Sequence, residues 1–264
     1  MSKKRKAEKY VEPLNVKKEA RLLPGYIILV LWVLFEVALL SWIVAASFST
    51  TKEIFSNQML QSGLHFENYI YSWTKGNMGK YFLNSLIYAG FGVSGALLLS
   101  APCAYALSRF QFRGRDALFF LVLVLMVLPF QVTMAPSVMT LRALGLLNTV
   151  WAVILPMIFS PFYLFLVRQF MIGIPGEIVE AGQMDGAGTL RCFVHVMLPV
   201  CRPILCAAAA LSFADSWNMV EQPLIYLTNQ SMQPLSVMFN QINTDSTGVA
   251  FAGAALYLLP MLLI

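Results

Sequence analysis

Ile174-Pro175-Gly176-Glu177-Ile178-Val179-Glu180-Ala181-Gly182-Gln183-Met184-Asp185-Gly186-Ala187 separates two apolar stretches and opens a loop that ends at Leu198-Pro199. Its reading decides the fold. The pattern predicts a short helix, a glycine turn and a second short helix, lying on a membrane surface between two spanning helices. Gly186 permits the sharp turn because it carries no Cβ. Asp185 has the side chain to satisfy turn amides. Pro199 restricts the residue before it and marks where the chain re-enters the membrane.

Outward from this loop the chain is apolar. Of 264 residues, 58% are hydrophobic and 12% charged, about half the charged fraction of a soluble domain. Apolar runs of about 17 residues or more recur, the mark of membrane-spanning helices. Lipid offers no partners to backbone polar groups, so the expected fold class is all-α: one polytopic membrane domain. Six spans are predicted, at about 24–47, 82–107, 117–137, 149–170, 203–226 and 248–264. The loop 171–202 lies between the fourth and fifth. The first apolar run reaches Ser47, longer than the roughly 7–15 apolar residues of a signal peptide, so an uncleaved first span is expected behind a basic tail, 1–23.

The net charge of +5 does not point to nucleic acid, because the basic residues sit at membrane boundaries. Eight Lys and Arg precede the first span, three occupy the 108–116 loop (Arg109, Arg113, Arg115), and Arg168, Arg191 and Arg202 surround the Glu180 loop. Lys52, Lys75, Lys80 and Arg142 fall on the other side. The positive-inside rule therefore predicts both termini and the Glu180 loop in the cytoplasm. Residues 48–81 and 227–247, on the outside, serve either as solvated connectors or as a surface for an extracytoplasmic partner. Cys103, Cys192, Cys201 and Cys206 show no CxxC spacing, and only His65 and His195 could assist them. No metal centre, disulfide, catalytic cluster or cofactor is expected.

From Glu180 the order is acid, Ala181, Gly186 six residues on, then Val196-Met197-Leu198-Pro199. This resembles the Glu-Ala-Ala loop of binding-protein-dependent ABC importers, with Gly182 in place of the second Ala and Val196 in place of Ile. Further likenesses follow in order: Asn84-Ser85-Leu86-Ile87, Ala104-Tyr105-Ala106-Leu107-Ser108-Arg109-Phe110, Phe112-Arg113-Gly114-Arg115, Gly145-Leu146-Leu147-Asn148-Thr149 and Trp217-Asn218. Over roughly 25–264 the chain looks like a carbohydrate-type permease of the maltose-transporter class. The resemblance implies a type I ABC importer permease in a bacterial plasma membrane. Its expected partners are a second permease, an ATPase dimer and an extracytoplasmic solute-binding protein. It places Glu180, Ala181, Gly182, Asp185, Gly186, Leu198 and Pro199 in the loop that contacts the ATPase. No GxxxxGK[ST] occurs, so the chain is not itself the ATPase. In two respects the chain departs from the family. Met219, rather than an acid, follows Trp217-Asn218. The sequence ends at Ile264, inside the last span, as a truncated chain would.

Two polar features lie within spans. Glu36 sits midway along the first, where an acid costs about 3 kcal/mol on insertion scales, so it should face the bundle or a partner. Asp215, Trp217, Asn218 and Glu221 crowd the fifth. Indole faces and hydroxyl-binding acids and amides suit a polyol pathway; polar contacts between helices suit them equally. The competing readings are an importer for a non-sugar solute, an ion-coupled secondary transporter using Glu36 and Asp215, and a membrane-embedded enzyme.

Overall fold

A computed structural model describes residues 16–74, 77–241 and 247–264, and every regular element among them is helical. Residues 1–15, with most of the basic tail, lie outside the described residues. In chain order the helices are α1 (Val16–Ser47), α2 (Thr51–Phe55), α3 (Glu67–Thr74), α4 (Met78–Arg109), α5 (Arg115–Val127) and α6 (Phe130–Ala143). Then come α7 (Val150–Ile158), α8 (Pro161–Ile172), α9 (Gly176–Met184) and α10 (Thr189–Cys192), followed by a π-helical turn (Phe193–Met197) and α11 (Leu198–Val200). Last are α12 (Arg202–Trp217), α13 (Glu221–Tyr226), a 3-10 turn (Gln230–Met232), α14 (Leu235–Gln241) and α15 (Thr247–Leu263).

Three stretches are long and apolar enough to cross a membrane: Leu22–Ser47, Met78–Arg109 and Val150–Ile172. Counting bent pairs as one span each raises the number to five. Two predicted spans are not straight helices. The 117–137 segment turns by 105° between α5 and α6. Pro129 is the cause: it holds Leu128 extended, at φ −67° and ψ 123°. The 13 residues of α5 reach about 20 Å, short of the hydrocarbon thickness. The 203–226 segment breaks at 218–220, because a helical Pro223 would collide with the Met219 carbonyl. That carbonyl instead accepts from the Ser236 hydroxyl at 2.5 Å. A gentler break at Ser160 precedes Pro161 for the same reason as at Leu128.

α4 is the central helix, packed most extensively against α8, α12 and α7. Gly92 and Gly95 bring its backbone so close to α7 that an added Cβ would lie 2.5 Å from Met157 or Ile158 side-chain atoms. Small residues of this kind allow dense packing where apolar surroundings supply no hydrophobic drive. α15 docks on α1 and α3 through its own small residues, Gly248, Ala252 and Gly253, all buried. Trp42 meets Phe251 edge-on at 5.1 Å. Residues 22–39 of α1, Glu36 included, are exposed on every side, so none of the described helices covers that acid.

At the Met78 end of α4, the segment 227–235 folds back as a strap that is exposed at 228–230 and buried at Leu227 and 233–235. Asn84 Nδ2 donates to the Ser231 and Gln233 carbonyls (3.0 and 2.9 Å), Tyr88 to that of Met232 (2.6 Å), and the Leu235 amide donates to Ser85 Oγ (2.8 Å). Asn148 Oδ1 accepts from the Thr228 and Asn229 amides (3.1 and 2.9 Å). Two of the motifs quoted above are thus hydrogen-bond clamps.

Candidate functional site

The loop after α8 has the predicted plan. α9 ends in a Schellman arrangement: the Ala187 amide donates to Gly182 O (3.0 Å) and the Gly186 amide to Gln183 O (2.9 Å). Gly186 sits at φ +79°, the left-handed region that favours glycine. The Asp185 amide donates to Ala181 O at 3.1 Å, while its carboxylate stays exposed rather than bonding turn amides. Gly182 faces the second half of the loop, where a Cβ would meet Cys192 Sγ and Val196 Cγ2 at 3.4 Å. The π-helical turn widens the helix so that the Leu198 amide reaches Phe193 O, just ahead of Pro199, which has no amide to give. Glu180, Ala181, Asp185, Gly186 and Pro199 are exposed, and Leu198 is half-buried.

Beside the Gly186 turn, Met184 is 89% and Leu190 74% exposed. These apolar residues were not singled out from sequence. Neither was the anchor at the root of the loop. Arg109, at the end of α4, donates from Nη2 to the carbonyls of Met171 and Ile174, both at 2.7 Å. Tyr105, one turn back, packs on Phe193 at 5.1 Å between ring centres. Val179, Cys192, Met197 and Cys201 then bury themselves with Tyr105, Val167 and Met171 in one cluster joining the loop to α4, α8 and α12. Arg168 lies 3.5 Å over the Phe119 ring and donates to Leu107 O at 3.4 Å. Two arginines whose sequence value was topological are therefore structural clamps. All four cysteines are free thiols.

A cavity of about 600 Å³ opens where the three broken helices meet: Leu128 and Phe130 at the α5–α6 bend, Phe159 and Ser160 between α7 and α8, and Met219 after α12 all line it. Broken helices are tolerated at membrane depth where they line such a space. Of the four pathway candidates only Asp215 lines it, accepting from the Tyr163 hydroxyl at 2.5 Å. Trp217 is fully buried instead, its indole stacked on Phe213 and donating to Tyr257 O at 3.1 Å. Asn218 accepts from Tyr257 at 2.6 Å, and Glu221 is exposed in the first turn of α13. The polar wall is completed by Ser137, Ser212, Ser216 and Gln222. Ser212, Asp215, Ser216 and Met219 recur at helical spacing, which is the signal that sequence reading could have used.

The family described as "Binding-protein-dependent transport system inner membrane component" matches residues 96–264. The chain belongs to this family. The match takes in the Arg109 end of α4, α8, the whole loop and α12, and so unites the Arg109 clamp, the loop and the cavity in one transport component. Among relatives, this permease is 34% identical to the diacetylchitobiose uptake system permease protein NgcG of Streptomyces coelicolor, over 91% of this chain and 82% of the relative. It is 32% identical to the arabinooligosaccharides transport system permease protein AraQ of Halalkalibacterium halodurans, over 84% and 82%. In fold it is similar to a chain of a bacterial ABC transporter that imports the acidic polysaccharide alginate (TM-score 0.83, 21% identity, 96% of each chain covered). Family membership makes the permease a membrane transport component, and sets aside both the membrane-embedded enzyme and the ion-coupled secondary transporter.

Proposed function

We propose that this permease forms half of the translocation pathway of an ATP-driven importer for a sugar or oligosaccharide in a bacterial plasma membrane. A second permease supplies the other half, an ATPase dimer binds below, and a solute-binding protein delivers from outside. The names of the relatives support the saccharide, and the distribution of Lys and Arg supports six spans with both termini inside. The bare α1 suits a place against lipid and the sister subunit.

Glu180, Ala181, Gly182, Asp185, Gly186, Leu198 and Pro199 carry the contact with the ATPase, with Met184 and Leu190 as its apolar centre. One observation carries this reading: the loop is exposed at its Gly186 tip but locked at its root by Arg109 and the Tyr105–Phe193 contact. A push at the tip is thereby transmitted to α8 and α12, the two helices that present Tyr163 and Asp215 to the cavity. Closure of the ATPase dimer tilts these helices between inward-open and outward-open arrangements. Gly186→Trp is the test. The variant should insert in the membrane and assemble, yet fail in ATP-driven uptake; normal uptake would remove the loop from the coupling role.

A further inference from the structure

Among the described residues, Asp215 is the one charged side chain on the cavity wall, and no Lys, Arg or His lines it. Tyr163 donates to Oδ2 at 2.5 Å and so fixes the carboxylate, while the residue stays exposed to the cavity. Oδ1 has no protein partner among the described residues and is available to a solute. Around it stand neutral hydroxyls and an amide, from Ser137, Ser212, Ser216 and Gln222. The Ser216 hydroxyl donates to the Ser212 carbonyl at 2.6 Å, leaving its lone pairs to accept.

From this arrangement we propose that Asp215 sets the class of saccharide this permease passes: neutral or amine-bearing sugars are admitted, and uronates and sugar phosphates are rejected. The inference rests on the cavity being the solute path. A held carboxylate accepts a charge-assisted hydrogen bond from a hydroxyl or an ammonium. Toward a solute carboxylate about 5 Å away it is repulsive, by a factor on the order of a hundred in occupancy at an effective dielectric near 20. Among the described residues, no cation on this wall offsets that repulsion. Specificity of this kind comes from excluding the wrong partner as much as from holding the right one. Tyr163 is a positioning residue: it holds the carboxylate in place and exposes no charge of its own.

The experiment uses the importer purified from its native membranes into lipid nanodiscs, with every subunit that accompanies this chain except the solute-binding protein. Saturation-transfer NMR compares three disaccharides of one backbone: neutral, amine-bearing and uronate-bearing. The wild type should bind the amine and neutral sugars and discriminate against the uronate by about tenfold or more. Asp215→Asn, nearly isosteric, should abolish the preference for the amine and bring the uronate to within about twofold of the neutral sugar. Tyr163→Phe should weaken discrimination part-way. An unchanged order of affinities in Asp215→Asn overturns the proposal, as does a wild type that binds the uronate best or binds none of the three. Binding-protein-dependent uptake by the wild-type complex separates the two levels. No ATP-driven uptake of any saccharide removes the sugar-importer reading itself. Normal uptake with selectivity indifferent to Asp215 removes only this inference.

Discussion

The two ends of α4 hold loops by the same device and to opposite effect. At the Met78 end, Asn84, Ser85 and Tyr88 clamp the strap, and both its ends are buried, with Leu227 and Leu235 almost wholly covered. At the Arg109 end, one guanidinium grips the root of α9, but the tip beyond it stays bare, with Met184 and Leu190 uncovered. The first end is finished within the chain. In the coupling role proposed for it, the second is finished by something outside it. Under the proposed coupling role, clamping serves rigidity at the first end, and transmission at the second, where the loop is held at one point and exposed at the other.

The sharpest way to break the comparison is to remove the double donor at each end in turn. Arg109→Met forfeits two charge-assisted bonds and leaves two carbonyls, for about 3 kcal/mol or more. It should give ATP hydrolysis without uptake, measured on reconstituted complexes. Asn84→Leu should lower thermal stability by about 1–2 kcal/mol while uptake per ATP is unchanged. Uncoupling by Asn84→Leu but not by Arg109→Met would reverse the assignment of the two ends. Next in size, Gly186→Val forces a β-branched residue to positive φ at a cost of about 1–2 kcal/mol. Hydrogen exchange should show the loss confined to the α9–α10 turn.

A smaller effect belongs to the covered end. There Glu53 accepts from the Thr50 amide and hydroxyl (2.8 and 3.0 Å) and from the Ser62 amide and hydroxyl (2.6 and 2.7 Å). These bonds, the Thr50 amide first, lower its pKa from 4.5 to about 2. A lowered folded pKa means stabilisation that is full above about 4.5 and lost as pH falls from there toward 2. Protection of the Ser62 amide should therefore hold at pH 5 and decline toward pH 2 in the wild type, and be flat in Glu53→Gln. The smallest change expected is at the loop itself. Gly182→Ala restores the usual second alanine, meets Cys192 and Val196 at an ordinary 3.4 Å, and should stabilise α9 by about 0.5–1 kcal/mol without altering uptake.

Much of this was legible in the chain before any coordinates. Apolar run length gives the membrane class, and the spacing from Glu180 through Gly186 to Pro199 gives the helix–turn–helix plan. The breaks were harder to read. Pro129 and Pro223 announce themselves, but whether a proline kinks or breaks a helix depends on who receives the freed carbonyl. For Met219 that partner, Ser236, comes from a different element. Arg109 reaches carbonyls 62 and 65 residues away, and no local pattern reveals that. Trp217 left two readings open for a related reason. An indole satisfies a sugar face and an aromatic core equally well, and Phe82, Phe213 and Tyr257 happen to surround it.

In the proposed mechanism, the exposed tip of the loop meets an ATPase. A photo-crosslinking amino acid at Met184, in the complex as it assembles in native membranes, tests it most directly. The expected result is an adduct with a nucleotide-binding subunit whose yield changes when ATP is trapped. An adduct only with lipid or with an extracytoplasmic receptor, in a complex that still drives uptake, would contradict it.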